Sequence, residues 1–146
     1  MKALSIHPYY AMAIVAGQKS IEVRTWKTDY RGDLLICSTA KKFHDTIASH
    51  ALGIVTLEDI TPFKKKDCDA ALMLKSEYDQ IEGQAYAWHL TYNRLIKPIP
   101  IKGKLGLWEY DGEIEIIPDE EWILKPGQNE STAGDWYKKY WKPIMT

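Results

Sequence analysis

Lys19, Glu22, Arg24 and Trp26 follow Gly17 at successive spacings of two, three, two and two residues. A strand over Ser20–Arg24 would point Ile21 and Val23 one way and Glu22 and Arg24 the other, because side chains alternate across a strand. The four residues then share one rim. Lys19 offers a compact cation for a phosphate oxygen. In a desolvated cleft it could also give up its proton and act as a base. Its competing role is to cap the preceding helix C-terminus. Glu22 can accept from the exocyclic amine of a base, and Arg24 can grip a phosphate through two parallel hydrogen bonds. The two can equally pair with each other. Trp26 can stack on a base or serve as a rim or core tryptophan. Arg31 and Lys41 sit on neighbouring loops as further phosphate contacts. Ser38 and Thr39 end an apolar strand as hydroxyl donors, and Lys102 belongs to a loop that can reach the same mouth. His7 can reach the cleft or serve the helix start, whereas His44, His50 and His89 form no metal or catalytic set. Should the protein be an enzyme, Lys19 and Glu22 are its candidate catalytic pair.

These residues need elements to hold them. Lys2–Ile6 reads as a strand that His7-Pro8 breaks, with Pro8 suited to a first helical turn. A helix over Tyr9–Ala16 carries Ala11, Ile14 and Val15 on one face and ends at Gly17. Leu34-Leu35-Ile36-Cys37 is an apolar run of strand length, expected to be buried on both faces. A short helix is expected over Phe43–His50. A strand follows over Ala51–Ile60 with Gly53 as a bulge, then a helix over Asp67–Tyr78 and a long strand over Ala85–Ile96. Lys97–Gly103 reads as a rigid extended segment, and Gly106–Tyr110 as another strand or its lead-in. Trp88 and Trp108 sit in apolar strand contexts and read as core. Asp111–Ile117 could add an edge strand. Ser131–Trp141 reads as a helix capped by Ser131 or Thr132, with Trp136, Tyr140 and Trp141 on its apolar face. The total is five or six short strands with two or three helices, which points to an α+β fold, a small β-barrel decorated by helices.

A chain of 146 residues with 45% hydrophobic and 27% charged residues is suited to one domain. Cys37 and Cys68 are its two cysteines, without metal or disulfide-framework spacing. Neither a metal nor a cofactor is expected. No apolar run approaches the roughly 20 residues that span a bilayer, and the first residues lack a signal-peptide pattern, so the expected location is cytoplasmic, with no membrane partner. Net charge is −1 but unevenly spread, with 10 basic against 6 acidic residues in 1–66 and 9 against 14 in 67–146. The basic excess lies in the half that holds Lys19 and Arg24, which points weakly to an anionic partner. Lys64-Lys65-Lys66 reads as a solvated loop. No P-loop, nucleophile elbow or carboxylate cluster for two metals is present.

Ile6-His7-Pro8-Tyr9-Tyr10-Ala11, Ile14, Gly17-x-Lys19-x-x-Glu22-x-Arg24-x-Trp26 and Arg31-Gly32 together resemble the ASCH domain, the activating-signal cointegrator homology domain of the PUA-like superfamily. Tyr86-Ala87-Trp88-His89-Leu90 and Pro98-x-Pro100-x-Lys102-Gly103-x-x-Gly106-Leu107-Trp108 are similar to its later strands. The resemblance covers about residues 2–110, so a domain over 1–110 is expected, with 111–146 a C-terminal extension whose aromatic helix is expected to pack on the same domain. It implies a PUA-like pseudobarrel of mostly antiparallel strands, with a cleft beside the G-x-K-x-x-E-x-R segment and a role in binding RNA or a nucleotide. A few members are enzymes, ribonucleases or amidohydrolases of N4-acetylcytidine. The latter use a lysine, a threonine three residues on and a glutamate from a later strand. Lys19 matches the lysine, Glu22 stands where the threonine would be, and none of Glu77, Glu82 and Glu109 can be matched to the later glutamate. The expectation is therefore an RNA- or nucleotide-binding module with no obligatory protein partner. An enzyme acting on RNA or a modified nucleoside, or a protein-interaction module using the aromatic tail, are the alternatives.

Overall fold

The structure, a computed structural model, describes residues 1–123 and 135–146. Its frame is one curled six-stranded sheet in the order β2-β5-β4-β3-β1-β6. The strands are β1 (Lys2–Ile6), β2 (Ile21–Arg24), β3 (Gly32–Ser38), β4 (His50–Pro62), β5 (Tyr86–Pro100) and β6 (Leu107–Glu109). β1 and β3 run parallel and every other pair is antiparallel. Among the described residues they are accompanied by the α-helices α1 (Pro8–Val15), α2 (Cys68–Ala71) and α3 (Lys75–Ile81) and by a helical C-terminal segment. This is the α+β half-barrel with flanking helices that the strand pattern leads one to expect.

The curl comes from β4 and β5, whose pairing slips register between Ala51 and Gly53, between Ile54 and Thr56, and between Leu57 and Asp59. Unpaired residues at such slips bend a strand and increase its twist. Gly53 has a second role. A Cβ there would lie 2.5 Å from Val15 Cγ1 and 2.7 Å from the Arg94 carbonyl, so its bare backbone lets α1 seat on the sheet.

Leu34, Leu35, Ile36 and Cys37 are all fully buried, because both faces of β3 are covered. On one side Leu34 and Ile36 meet Ile14 and Val15 of α1, Trp88 and Leu95. On the other, Leu35 and Cys37 meet Ala3, Ala51 and Ile96. Trp88 is core, as its apolar context suggests, and Trp108 is half-buried against the second cluster. Residues 135–144 are helical, closing with a wide turn over Tyr137–Trp141 and a tight one over Lys142–Ile144. Trp141 is buried in the α1-side core, with Trp136 and Tyr140 packed beside it. The expected caps Ser131 and Thr132 lie outside the described residues.

Three expected elements differ. Residues 43–50 form turns rather than a helix, because Asp45 and Ser49 adopt left-handed backbone angles, which a right-handed helix cannot contain. The segment is tied instead to the C-terminus. Thr146 N–H donates to the Thr46 carbonyl at 2.9 Å, and the Thr146 hydroxyl donates to that of Phe43 at 2.8 Å. The helix expected over Asp67–Tyr78 is two helices, broken where Leu72 is left-handed with φ 54°. Asp111–Ile117 adds a single bridge, Ile96 to Ile116. Among the described residues no helix is long and apolar enough to cross a membrane.

Candidate functional site

Gly17, with φ +86°, takes the left-handed turn that ends α1. Its N–H donates to Ile14, those of Gln18 and Lys19 donate to Ala13, and the Asn93 side chain donates to Val15. The terminal carbonyls of α1 are thus served without the Lys19 ammonium. That ammonium instead reaches across to the Ala71 carbonyl, the last of α2. The contact explains the helix break: in a continuous helix this carbonyl would accept from an N–H four residues on.

Strand alternation then works as expected. Ile21 and Val23 pack with Phe63, Cys68 and Ala87 beneath α2 and α3, while Glu22 and Arg24 face the mouth. Lys19 is 4% exposed and Glu22 7%. Lys19 Nζ lies 3.8 Å from Glu22 Oε1, and Arg24 Nη2 donates to Glu22 Oε2 at 3.0 Å. Lys19 Nζ also sits 4.8 Å above the Tyr10 ring. Arg24 Nη2 donates further to the Ser5 carbonyl of β1 at 3.1 Å, so one guanidinium joins the edge strand β2 to β1 across the opening of the curl. Its Nε is buried and finds no hydrogen-bond partner among the described residues.

Burial sets the electrostatics. It pushes the Lys19 ammonium below its ordinary range, with Glu22 opposing. It pushes the Glu22 carboxyl up, with Arg24 and Lys19 pulling it back. Each group is therefore easier to neutralise than in water, which is what a proton-transferring pair requires. His7 caps α1: its Nδ1 accepts from Tyr9 N–H at 3.1 Å. Burial, followed by the Lys41 charge, holds its pKa below 6.5.

Two cavities open here. The inner one, about 260 Å³, is walled by Tyr10, Lys19, Glu22 and the corner at residues 71–73. The outer one, about 350 Å³, is walled by Ser5, Thr39, Ala40 and the loop 103–106. His7 and Arg24 belong to both. A wider hollow of about 500 Å³ lies elsewhere, along Glu58, Asp59 and Asp67 with Lys64 and Lys66, and its acids oppose an anionic ligand.

Lys19, Glu22 and Arg24 come together in the inner wall, and Thr39 joins Arg24 in the outer one. The other candidates stand apart. Trp26 lines neither cavity; its ring packs edge-on against Trp88 at 4.7 Å, and its carbonyl accepts from the Trp88 indole. Arg31 donates to the Thr28 and Tyr30 carbonyls and lies 3.7 Å from Asp59. Ser38 is buried and bonded to the His50 backbone. Lys41 is exposed and reaches the site through its field on His7. Lys102 lines neither cavity; its neighbour Lys104 lines the outer one. Ser5, Tyr10, Leu72, Met73 and Lys104 escaped sequence reasoning. Tyr10 carried the clearest missed signal, sitting three residues after His7 on the first turn of a helix that ends at the site. Among the described residues no three His, Cys, Asp or Glu side chains cluster as metal ligands do.

The family model for the ASCH domain matches residues 4–125, past the boundary at 110. Solved structures share the fold. The crystal structure of ASCH from Zymomonas mobilis is 24% identical with a TM-score of 0.54, over 67% of this chain and 71% of that one. A serine-to-alanine mutant of the same Zymomonas mobilis protein gives 24% and 0.55, over 68% and 73%. Among curated proteins none matches.

Proposed function

The chain belongs to the ASCH domain family, and from that premise we propose that it binds single-stranded RNA or a nucleotide in the cleft of Lys19, Glu22 and Arg24. One observation carries this: a half-buried guanidinium, 26% exposed, stands between two cavities and lines both. Its exposed part can donate to a phosphate oxygen, a charge-assisted contact stronger than a neutral one. Glu22 is oriented by Arg24 and can accept from an exocyclic amine. Tyr10 and His7 supply the rings that Trp26 does not. The test is fluorescence anisotropy with a labelled single-stranded RNA at several salt concentrations. Affinity should fall with salt and drop about tenfold or more in Lys19→Met/Arg24→Met, as loss of phosphate contacts requires. Unchanged affinity in the folded double variant would rule the cleft out.

A second reading, cleavage of RNA, is favoured by the opposed shifts of Lys19 and Glu22. A neutral Lys19 would take the proton of a 2′-hydroxyl as that oxygen attacks phosphorus. A protonated Glu22 would give its proton to the departing 5′-oxygen, leaving a 2′,3′-cyclic phosphate. Incubation with RNA, with Lys19→Met as control, decides it: the absence of a Lys19-dependent cyclic product leaves binding alone.

A further inference from the structure

We infer that the site holds two consecutive nucleotides of one strand, one in each cavity, with the phosphate that links them at the Arg24–His7 partition. This rests on the nucleotide-binding function proposed above and adds the size of the unit bound. The geometry comes first. The two cavities share His7 and Arg24 and nothing else in their linings. At about 260 Å³ the inner cavity alone falls below the roughly 300–1,000 Å³ of a pocket that encloses a drug-sized ligand. The outer one, at about 350 Å³, lies at the lower edge of that range.

The chemistry of the walls then assigns the parts. The inner cavity sets the Glu22 carboxylate beside the Lys19 ammonium, and that carboxylate can accept from the amine of a base. The outer cavity contains no carboxylate; it offers the Ser5 and Thr39 hydroxyls, Lys104 and open backbone. Between them, Arg24 keeps Nε buried and without an acceptor among the described residues. Arg24 is a cation that both cavities share, so a phosphate is favoured at the partition, which is where a linking phosphate falls when a base lies on each side.

The outer wall is also built to accept a second unit. A Cβ on Gly103 would lie 2.5 Å from Ser5 Oγ, so the loop backbone lies directly on β1. Gly106 turns it back with φ +66°. Between these two glycines Leu105 is 99% exposed, an apolar side chain at the cavity mouth with no protein surface to cover it. A base or ribose in the outer cavity would cover it.

The experiment compares cytidine 3′- and 5′-monophosphates with the dinucleotide CpC by calorimetry. The first ribose of the dinucleotide is 2′-deoxy, so that it cannot be cut by its own 2′-hydroxyl. CpC should bind at least about tenfold tighter than either monophosphate. Ala40→Trp, at an exposed position on the outer wall, and Leu105→Ala, at a fully exposed one, should each shrink that ratio to within about twofold. Equal affinities for CpC and the monophosphates, with binding still dependent on Arg24, would overturn the two-unit site and leave nucleotide binding intact. A tenfold ratio that both variants retain would overturn it too. Failure of all three ligands and of longer RNA to bind would sink both inferences.

Discussion

Replacing Glu22 by glutamine should cost far more than one exposed ion pair would, because the partner left behind is buried. Lys19 is 4% exposed and its Nζ lies 3.8 Å from Glu22 Oε1. At that separation, with an effective dielectric near 20, two unit charges interact by about 4 kcal/mol. Glutamine keeps the shape and can still accept from Arg24, but it removes the charge that compensates Lys19. An upper bound comes from deprotonation. The ordinary lysine value is 10.5, so removing the proton at pH 7 costs at most about 5 kcal/mol, at 1.36 kcal/mol per pH unit. Burial already depresses Lys19, so the loss lies below that bound, in the range of about 3–5 kcal/mol for breaking a buried pair.

The double variant Lys19→Met/Glu22→Gln should be less damaged than Glu22→Gln alone. It removes the stranded cation and loses mainly the hydrogen bond to the Ala71 carbonyl, worth about 1–2 kcal/mol. The measurement is urea unfolding of the wild type, both single variants and the double variant, with the slope checked for constancy. The pH dependence adds a signature. In Glu22→Gln the folded state holds Lys19 further below 10.5 than in wild type. The unfolded chain then binds the extra proton, and the deficit shrinks as pH rises from 7 toward 10. A loss under about 1 kcal/mol for Glu22→Gln, or additive losses in the double variant, would refute the buried-pair account.

Three further outcomes are expected. His7→Ala should cost about 1 kcal/mol through loss of the α1 cap, while His7→Asn retains it. In wild type the folded pKa of His7 lies below 6.5, so the unfolded chain takes up the proton first. The stability this group contributes is present above 6.5 and is lost as pH falls through the folded value, a slope that His7→Asn should reduce in acid titrations of unfolding. Gly53→Ala should destabilise by about 1–3 kcal/mol in thermal or urea unfolding through overpacking against Val15 and the Arg94 carbonyl. Trp141→Ala should cost about 3–5 kcal/mol, as large core truncations do. Trp141→Phe should cost clearly less in the same assay, since it removes an indole N–H that is buried without a partner among the described residues.

What could be read from the sequence was whatever depends on neighbours in the chain. β1 occupies the expected Lys2–Ile6 because a short apolar strand ended by His7-Pro8 needs no distant information. Gly17 ends α1, and alternation puts Glu22 and Arg24 on one face, for the same reason. Distant partners decided the rest. Lys19 meets Ala71, 52 residues away, and that contact depends on Leu72 adopting a left-handed angle that leucine rarely takes. Trp26 turned inward because Trp88, 62 residues on, offers it an edge-to-face partner and an indole donor. Periodicity cannot show which of six tryptophans will find another. The segment 43–50 carries helix-compatible residues, yet the last residue of the chain claims its carbonyls.

Arg24 shows why the local motif sufficed to find the site without describing it. Its position on β2 sets the face it occupies, but its role depends on the curl, which brings Ser5 of β1 within 3.1 Å of the same guanidinium. One nitrogen binds both Ser5 of β1 and Glu22 beside it on β2, and so ties the edge strand β2 to β1. The same side chain lines both cavities. The group that closes the half-barrel is therefore the group that presents charge to a ligand. Removing it should loosen the fold and weaken binding together. Lys19→Met should separate the two effects, because Glu22 keeps Arg24 as its counter-charge while the cleft loses a cation.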